Sequence, residues 1–362
     1  MGEREKTLIA EVIDRGFPND GPKTAEFERR VAELCGAPHA VAVTSGTTAM
    51  FLSLAAFGIG PGDEVIVPDI TFIATANAVS LTGAKPVFVD VVRETFCIDV
   101  AAAERAITPR TKAVIPVHVT GRSADMKALL ALARSRRLRV IEDAAEALGS
   151  KTAQGCLGAI GDAGCFSFTA NKLVTTGQGG IILVRDAAVY QRLRELKDQG
   201  RPVRGTGGPD DHVSLGYNFK FTDLQAAFGL AQLETFAERC EHQRKLLRLY
   251  RKALDRCPRV RLAPFDLEGG ELPLWIDADV EGCDDLCRHL EERGIQPRKF
   301  WKPVHRHPPY RQEDRAFPVS TLLASRAMWF PSGLDLNEDD VLRVCDAVRS
   351  WAKQPSHGVP VS

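Results

Sequence analysis

Residues 112–143, KAVIPVHVTGRSADMKALLALARSRRLRVIED, carry a strand, a helix and a second strand. Lys112-Ala-Val-Ile-Pro-Val117 is a short apolar run. Ser123 stands as the cap of a helix over 124–136, and Arg139-Val-Ile-Glu-Asp143 is apolar up to its last two residues. Two apolar strands joined by a helix pair in parallel, and a parallel sheet needs both faces covered.

The same unit repeats upstream. Val41-Ala-Val43 turns through Ser45-Gly46-Thr47 into an apolar helix from Ala49 to Phe57. The strand Glu64–Pro68 leads to a helix at Thr71–Leu81. The strand Pro86–Asp90 leads to Asp99, a helix cap, and to a helix over 100–107 that Pro109 follows. Downstream, Gly164–Phe168 and Gly180–Val184 complete the set. The alternation predicts an α/β fold built on an open, mostly parallel sheet. Ligands of such sheets bind at the carboxyl ends of the strands. Ser45, Asp143 and the loop after Phe168 all fall there.

Residues 1–40 read as two short helices joined by a Gly/Pro loop around Phe17 to Pro22. Helices are predicted at 186–200 and 222–256. Thr222 and Gln225 form a capping box for the second, whose length suits a link between domains. From about residue 257 the pattern shortens. A strand at Leu272–Ala278, a helix at Asp284–Arg293, a loop at Pro297–Tyr310, a helix at Glu338–Trp351 and a polar tail at Gln354–Ser362 follow. This predicts a large domain over 1–240 and a smaller C-terminal α+β domain over 241–362.

Composition narrows the function. Lys+Arg and Asp+Glu both number 47, so the net charge is zero and gives no bulk attraction to nucleic acid or to an anionic membrane. The nine cysteines are scattered and form no C-x-x-C pair, which suits reduced thiols in a cytoplasmic protein. Met1–Ala10 lacks an apolar signal core, and no run approaches a membrane span. His118, His305 and His307 belong to no metal-binding spacing, so no metal is expected.

The chemistry points to Lys172. The run Phe166-Ser-Phe-Thr-Ala-Asn-Lys172 places one lysine between an aromatic strand and the turn Gly177-Gln-Gly-Gly180. An apolar setting disfavours the ammonium and readies the amine to attack a carbonyl. A pyridoxal phosphate enzyme needs such a lysine, a carboxylate for the pyridine nitrogen and a phosphate cradle. Asp143 at the end of its strand offers the carboxylate; it also suits a helix N-cap. Glu146, three residues on, can reach a ring oxygen or stand as a solvated first-turn acid. Ser45-Gly46-Thr47 at a helix start offers N–H groups for phosphate, and Ser167 another hydroxyl. Phe72 suits a ring-stacking place or the core. Gly177, Gly179 and Gly180 lack dinucleotide spacing and fit a tight turn.

Several stretches together resemble a family. They are Thr44-Ser-Gly-Thr-Thr-Ala49, Thr71–Ala78, Ala113–His118, Glu142-Asp-Ala-Ala-Glu146, Phe166-Ser-Phe168 with Asn171-Lys172, Thr176–Gly180, and Leu215-Gly-Tyr-Asn218 with Gln225-Ala-Ala227. In this order they resemble the DegT/DnrJ/EryC1/StrS sugar aminotransferases, of the aspartate aminotransferase fold, fold type I. The resemblance implies pyridoxal 5'-phosphate as cofactor, with Lys172 forming the Schiff base and moving the proton between cofactor and sugar. It implies that Asp143 partners the ring nitrogen and Glu146 the ring oxygen. Gly46, Thr47 and Ser167 would hold the phosphate, and Phe72 would pack on the ring. Asn218 would reach the phosphate of a neighbouring subunit, making the active unit a homodimer with shared sites. The loop Lys302–Tyr310 would approach a nucleotide-sugar, with His305 and Lys302 binding substrate.

Glu142–Ser150 and Leu215–Asn218 are most similar to the perosamine synthase branch. This implies L-glutamate as amino donor and a GDP-linked 4-keto-6-deoxymannose as acceptor. Two residues depart from the family pattern: Gln178 stands where glutamate is usual, and Lys220 where arginine is usual. Relatives that act as dehydratases replace the lysine with histidine; this chain keeps Lys172. A dehydratase or isomerase on the same scaffold and a non-catalytic regulatory homologue are the alternatives.

Overall fold

The computed structural model describes residues 2–202 and 210–354. Two helices, α1 (Glu3–Arg15) and α2 (Pro22–Cys35), open the chain. Strand β1 (His39–Val43) runs into α3 (Gly46–Ala56), β2 (Glu64–Pro68) into α4 (Ala74–Leu81), β3 (Lys85–Val89) into α5 (Val100–Arg105), and β4 (Thr111–Val114) into α6 (Met126–Arg136). After β5 (Arg139–Asp143), a small hairpin of β6 (Lys151–Thr152) and β7 (Gly155–Cys156) precedes β8 (Ala163–Ser167) and β9 (Gly180–Val184). Three helices follow: α7 (Ala187–Lys197), α8 (Asp223–Glu234) and α9 (Phe236–Ala253). The last part holds β10 (Val260–Leu262), β11 (Ile276–Val280), α10 (Cys283–Glu291), β12 (Arg298–Lys299), α11 (Pro318–Leu323), β13 (Ala327–Phe330) and α12 (Glu338–Ala352).

The first sheet has the order β1-β9-β8-β5-β4-β2-β3. Within it β9 alone runs antiparallel to its neighbours β1 and β8; the other pairings are parallel. Alternate residues of a strand serve opposite faces. In β9, Ile181 and Leu183 join the core under α1, α2 and α8, whereas Ile182 and Val184 join the core under α3 and α7. Burial on both faces is why these strands read as continuous apolar runs. The fold class expected from the sequence, a large mostly parallel sheet followed by a smaller α+β part, is the one observed.

The second sheet, β10-β11-β13-β12, is antiparallel. On one face α9, α10 and α12 cover it. On the other, Trp329 and Phe300 pack with Ile66, Val114 and Val140 of the first body. The switch from one core to the other falls along α9: Phe236 and Cys240 belong to the first, Leu246 and Leu247 to the second.

Four local expectations are corrected. Helix α6 is capped by Asp125, whose Oδ1 accepts the Ala128 N–H at 3.0 Å, and not by Ser123, whose hydroxyl donates to the Ala124 carbonyl at 2.6 Å. The single helix expected over 222–256 is two, divided at Thr235; the capping box of Thr222 and Gln225 at its start is present. The strand expected at 112–117 stops at Val114, and Pro116 beyond it has no N–H to give the ladder. The strand expected from Leu272 begins at Ile276, because the backbone before it serves other partners. Leu272 N–H donates to Ser150 Oγ at 3.0 Å and Leu274 N–H to the Thr120 carbonyl at 2.8 Å. The expected tail falls outside the described residues from 355 on.

Candidate active site

A cavity of about 360 Å³ opens at the carboxyl ends of the first sheet. Its walls include Gly46, Thr47, Phe72, Asp143, Glu146, Ser167 and Lys172. Seven residues singled out from several stretches of sequence therefore meet at one place.

One wall is the start of α3. Ser45 caps it: Oγ accepts the Thr48 N–H at 3.1 Å, and the Ser45 carbonyl accepts the Ala49 N–H at 3.0 Å. A helix start leaves its first N–H groups unpaired. Those of Gly46 and Thr47 have no partner among the described residues. The helix comes this close to the end of β8 because residue 46 is glycine; a Cβ there would lie 2.9 Å from Ser167 Cβ. Ser167 Oγ is 2.9 Å from Thr169 Oγ1. Unpaired N–H groups and a ring of hydroxyls make an anion cup.

Asp143 ends β5 with its side chain buried. The Thr75 hydroxyl donates to Oδ2 at 2.6 Å and the Ala145 N–H to Oδ1 at 3.1 Å. Burial pushes this carboxyl above the ordinary carboxylate range, against the pull of these hydrogen bonds and of the nearby Lys172 charge. A buried carboxylate in want of a cation is what a pyridinium N–H would meet. Phe72, 59% exposed, presents its ring at the cavity wall. The residues present thus fit pyridoxal phosphate: a cup for the phosphate, a carboxylate for the ring nitrogen, an aromatic face and an amine.

Lys172 Nζ lies 3.1 Å from Glu146 Oε1 and 5.0 Å from the centroid of the Trp275 ring. The wholly apolar setting expected for the lysine is therefore not what surrounds it. The second oxygen of Glu146 accepts the Thr120 N–H at 2.9 Å. Burial raises the Glu146 carboxyl, and the adjacent Lys172 charge opposes that rise.

His118 also lines the cavity while fully buried. Its Nδ1 accepts the Ala124 N–H at 3.3 Å, so Nε2 carries the proton and donates to Glu142 at 2.8 Å. Glu142 also accepts the N–H groups of Gly158, Ile160 and Gly161. This tie fixes the end of β5 directly before Asp143. Among the described residues, no group of His, Cys, Asp and Glu is arranged for a metal.

Three expected site residues stand elsewhere. His305 is fully buried, with Nδ1 2.6 Å from Asp69 Oδ2, Nε2 2.9 Å from Asp314 Oδ1 and its ring stacked on Phe317. It bonds two carboxylates and does not line the cavity, and neither does the exposed Lys302. The basic loop still contributes, through Arg298 and Trp301. Asn218 is exposed outside the cavity, and Lys220 nearby is spent on Asp198 Oδ1 at 2.6 Å. Gln178 does line the cavity. Thr75, Thr120 and Trp275 escaped sequence reasoning. Of these only Thr75 had a local signal, its place one helical turn beyond Thr71, to whose hydroxyl it is bonded at 2.8 Å.

A lysine, two buried carboxylates and an anion cup at the carboxyl ends of this sheet define a cofactor-dependent aminotransferase. Over residues 1–349 the chain matches the DegT/DnrJ/EryC1/StrS aminotransferase family, and it belongs to that family. It is accordingly a pyridoxal phosphate-dependent sugar aminotransferase. Curated relatives include the GDP-perosamine synthase of Escherichia coli O157:H7, 36% identical over 350 residues that cover 96% of this chain and 95% of the relative. The GDP-perosamine synthase of Caulobacter vibrioides is 38% identical over 353 residues, covering 95% and 94%. Among solved structures, that of S. venezuelae DesV in complex with a ketimine intermediate superposes with a TM-score of 0.92 at 35% identity, covering 97% of this chain and 95% of that one.

Proposed function

We propose that this enzyme moves an amino group from L-glutamate to a keto-sugar linked to a nucleotide, with a GDP-linked 4-keto-6-deoxy hexose as acceptor. The observation that carries the reading is the meeting of Lys172, Glu146 and Asp143 beside the unpaired N–H groups of α3. The acceptor is argued from the GDP-perosamine synthases to which the chain is similar.

When bound, pyridoxal phosphate supplies a carbonyl for amine exchange and an electron-withdrawing ring that acidifies the adjacent C–H. In this role the N–H groups of Gly46 and Thr47, with Ser167 Oγ, would hold the phosphate. The Asp143 carboxylate, itself held by Thr75 and Ala145, would keep the ring nitrogen protonated. Phe72 would pack on the ring. Glu146 orients the Lys172 amine, which would move the proton between the donor carbon and the sugar carbon.

Asn218 and Leu215, exposed and outside the cavity, support a homodimer in which Asn218 completes the partner's phosphate site. The distribution of the two cores supports a large cofactor-binding domain over 1–240 and a small one over 241–362. No helix among the described residues is long and apolar enough to cross a membrane, which agrees with action in the cytoplasm.

The test is an absorbance spectrum of the purified enzyme before and after L-glutamate. The expected result is loss of a band near ~420 nm and growth of one near ~330 nm, followed by recovery when a GDP-linked 4-keto-6-deoxy hexose is added. A mass gain in the sugar that matches replacement of C=O by CH–NH₂ identifies the product. A spectrum that ignores L-glutamate removes the donor; recovery only with another nucleotide-sugar removes the acceptor.

A further inference from the structure

The carbonyl of Leu173, the residue directly after Lys172, accepts an Arg239 Nη1 hydrogen at 2.9 Å. Lys172 belongs to an irregular loop between β8 and β9, and its own N–H donates within that loop to the Thr169 carbonyl at 3.0 Å. Over residues 170–174 the Arg239 bond is the one tie from outside the loop to the main chain among the described residues. Arg239 is itself aimed by two further oxygens. Its Nε donates to Thr235 Oγ1 at 3.0 Å, at the break between α8 and α9, and Nη1 also donates to Gln232 Oε1. Gln232 is buried and donates in turn to Glu5 of α1, whose other oxygen accepts the Gly2 N–H at 2.8 Å.

We infer that Arg239 is a positioning residue for Lys172, holding the lysine's main chain through the Leu173 carbonyl while the amine leaves the cofactor and returns to it. The inference rests on the aminotransferase reading above, in which Lys172 is the reactive amine. The half-buried guanidinium has no carboxylate in ion-pair contact among the described residues; its bonds go to neutral oxygens. Burial pulls it below its ordinary value, against the charge of Glu5 farther off. A cation that gives up water without gaining an ion pair adds little to stability. What its bonds do fix is one peptide of the Lys172 loop. A lysine carries its amine on a flexible stem. Once free of the cofactor, that amine is placed by Glu146 at its tip and by the main chain at its root. Proton transfer is sensitive to such placement: a shift of about 1 Å lowers a rate by about 10²-fold.

The experiment compares wild type with Arg239→Met, which keeps the stem and removes the donors, and Arg239→Lys, which keeps a cationic donor. Hydrogen exchange of the cofactor-free proteins is read by mass spectrometry. In Arg239→Met, peptides covering residues 169–176 are expected to exchange about tenfold faster or more, with α1, α8 and α9 unchanged. The holoenzymes are then mixed rapidly with L-glutamate across a concentration series while the cofactor band is followed. The maximal rate in Arg239→Met is expected to fall by about tenfold or more, the half-saturating concentration to stay within about twofold, and Arg239→Lys to recover part of both rate and protection. Wild-type exchange over 169–176 in Arg239→Met overturns the inference, as does an unchanged maximal rate. Gln232→Met breaks the same buried network but leaves the Leu173 bond. If it slows the band as much as Arg239→Met does, and exchange quickens throughout α1, α8 and α9 in both, Arg239 is a stability residue and the inference fails. A wild type that ignores L-glutamate overturns the donor assignment instead, and the exchange result alone then decides for or against Arg239.

Discussion

The hydroxyl of Thr120 donates to Asp277 Oδ2 at 2.7 Å, joining a loop of the first sheet to strand β11 of the second. The same residue gives its N–H to Glu146, the carboxylate that holds Lys172, and its carbonyl accepts the Leu274 N–H. Asp277 lies beside Arg122, whose guanidinium is buried against Phe96 and Phe265. Thr120 holds this place at φ 52, a left-handed conformation that is rare for a β-branched residue. Glycine would adopt it freely but has no hydroxyl to offer. The chain accepts the strain where one residue serves both the active-site carboxylate and a buried ion pair.

Two substitutions at Thr120 separate these effects. Thr120→Val keeps the strain and the N–H but leaves the buried Asp277 without its hydroxyl donor, which costs about 1–3 kcal/mol. Thr120→Gly loses the same hydrogen bond but relieves strain of about 1–3 kcal/mol. Urea unfolding of the two variants is expected to show valine clearly less stable than glycine. Equal losses would show that the backbone conformation carries no strain.

Lys172→Ala is expected to lower turnover by at least about 10³-fold and to abolish the band of the lysine-bound cofactor. The fold should survive, because Lys172 lies at a cavity wall and its removal leaves Glu146 with the Thr120 N–H. Far-ultraviolet circular dichroism and the absorbance spectrum check both halves. Full turnover by this variant would remove the lysine from the mechanism.

The parts of this site legible in the sequence are those whose signal is local. Asp143 ends a strand, and Gly46 and Lys172 follow strands within three and five residues, so the alternation of strands and helices placed them together. Thr120 was not legible, because its meaning depends on Asp277, 157 residues away. Strands β12 and β13, two and four residues long, are too short to show a period. The break at Thr235 follows no glycine or proline, so a continuous helical pattern concealed it. In the loop after Pro297 the resemblance put His305 and Lys302 at the substrate, whereas within one chain the fold spends His305 on two carboxylates and brings Arg298 to the cavity wall, a choice that depends on Asp69 and β13 far away in sequence.

His305 is accordingly predicted to be a stability residue. It bridges Asp69 and Asp314, and Asp69 is itself buried, with a carboxyl that burial pushes upward. His305→Phe preserves a ring against Phe317 and the backbone N–H that Asp69 Oδ1 accepts at 2.8 Å, but leaves the buried Asp69 Oδ2 without the imidazole. A loss of about 2–4 kcal/mol in urea unfolding is expected, with the half-saturating concentration of L-glutamate changed less than about threefold. A variant that is stable but poorly saturated by the sugar substrate would return His305 to the binding role its sequence context suggested.

Asp143 gives a pH dependence of known sign. Its folded carboxyl titrates above the ordinary carboxylate range because of burial. Below the unfolded value both states are protonated and burial costs little. As pH rises from there through the raised folded value, the unfolded chain gives up its proton first, so the folded state of the cofactor-free protein loses stability. Asp143→Asn removes this loss. The cofactor-free variant should therefore be at least as stable as wild type near neutral pH, and the difference should fade as pH falls toward the ordinary carboxylate range. With pyridoxal phosphate the order is expected to reverse, because a pyridinium N–H set against Asp143 would compensate the wild-type carboxylate and would find none in the variant. The rise in melting temperature on adding cofactor should thus be smaller for Asp143→Asn, and its turnover lower by about 10²-fold or more. Melting curves from pH 4.5 to 8, with and without cofactor, decide it: an equal gain in both proteins at every pH would mean that Asp143 does not face the ring nitrogen.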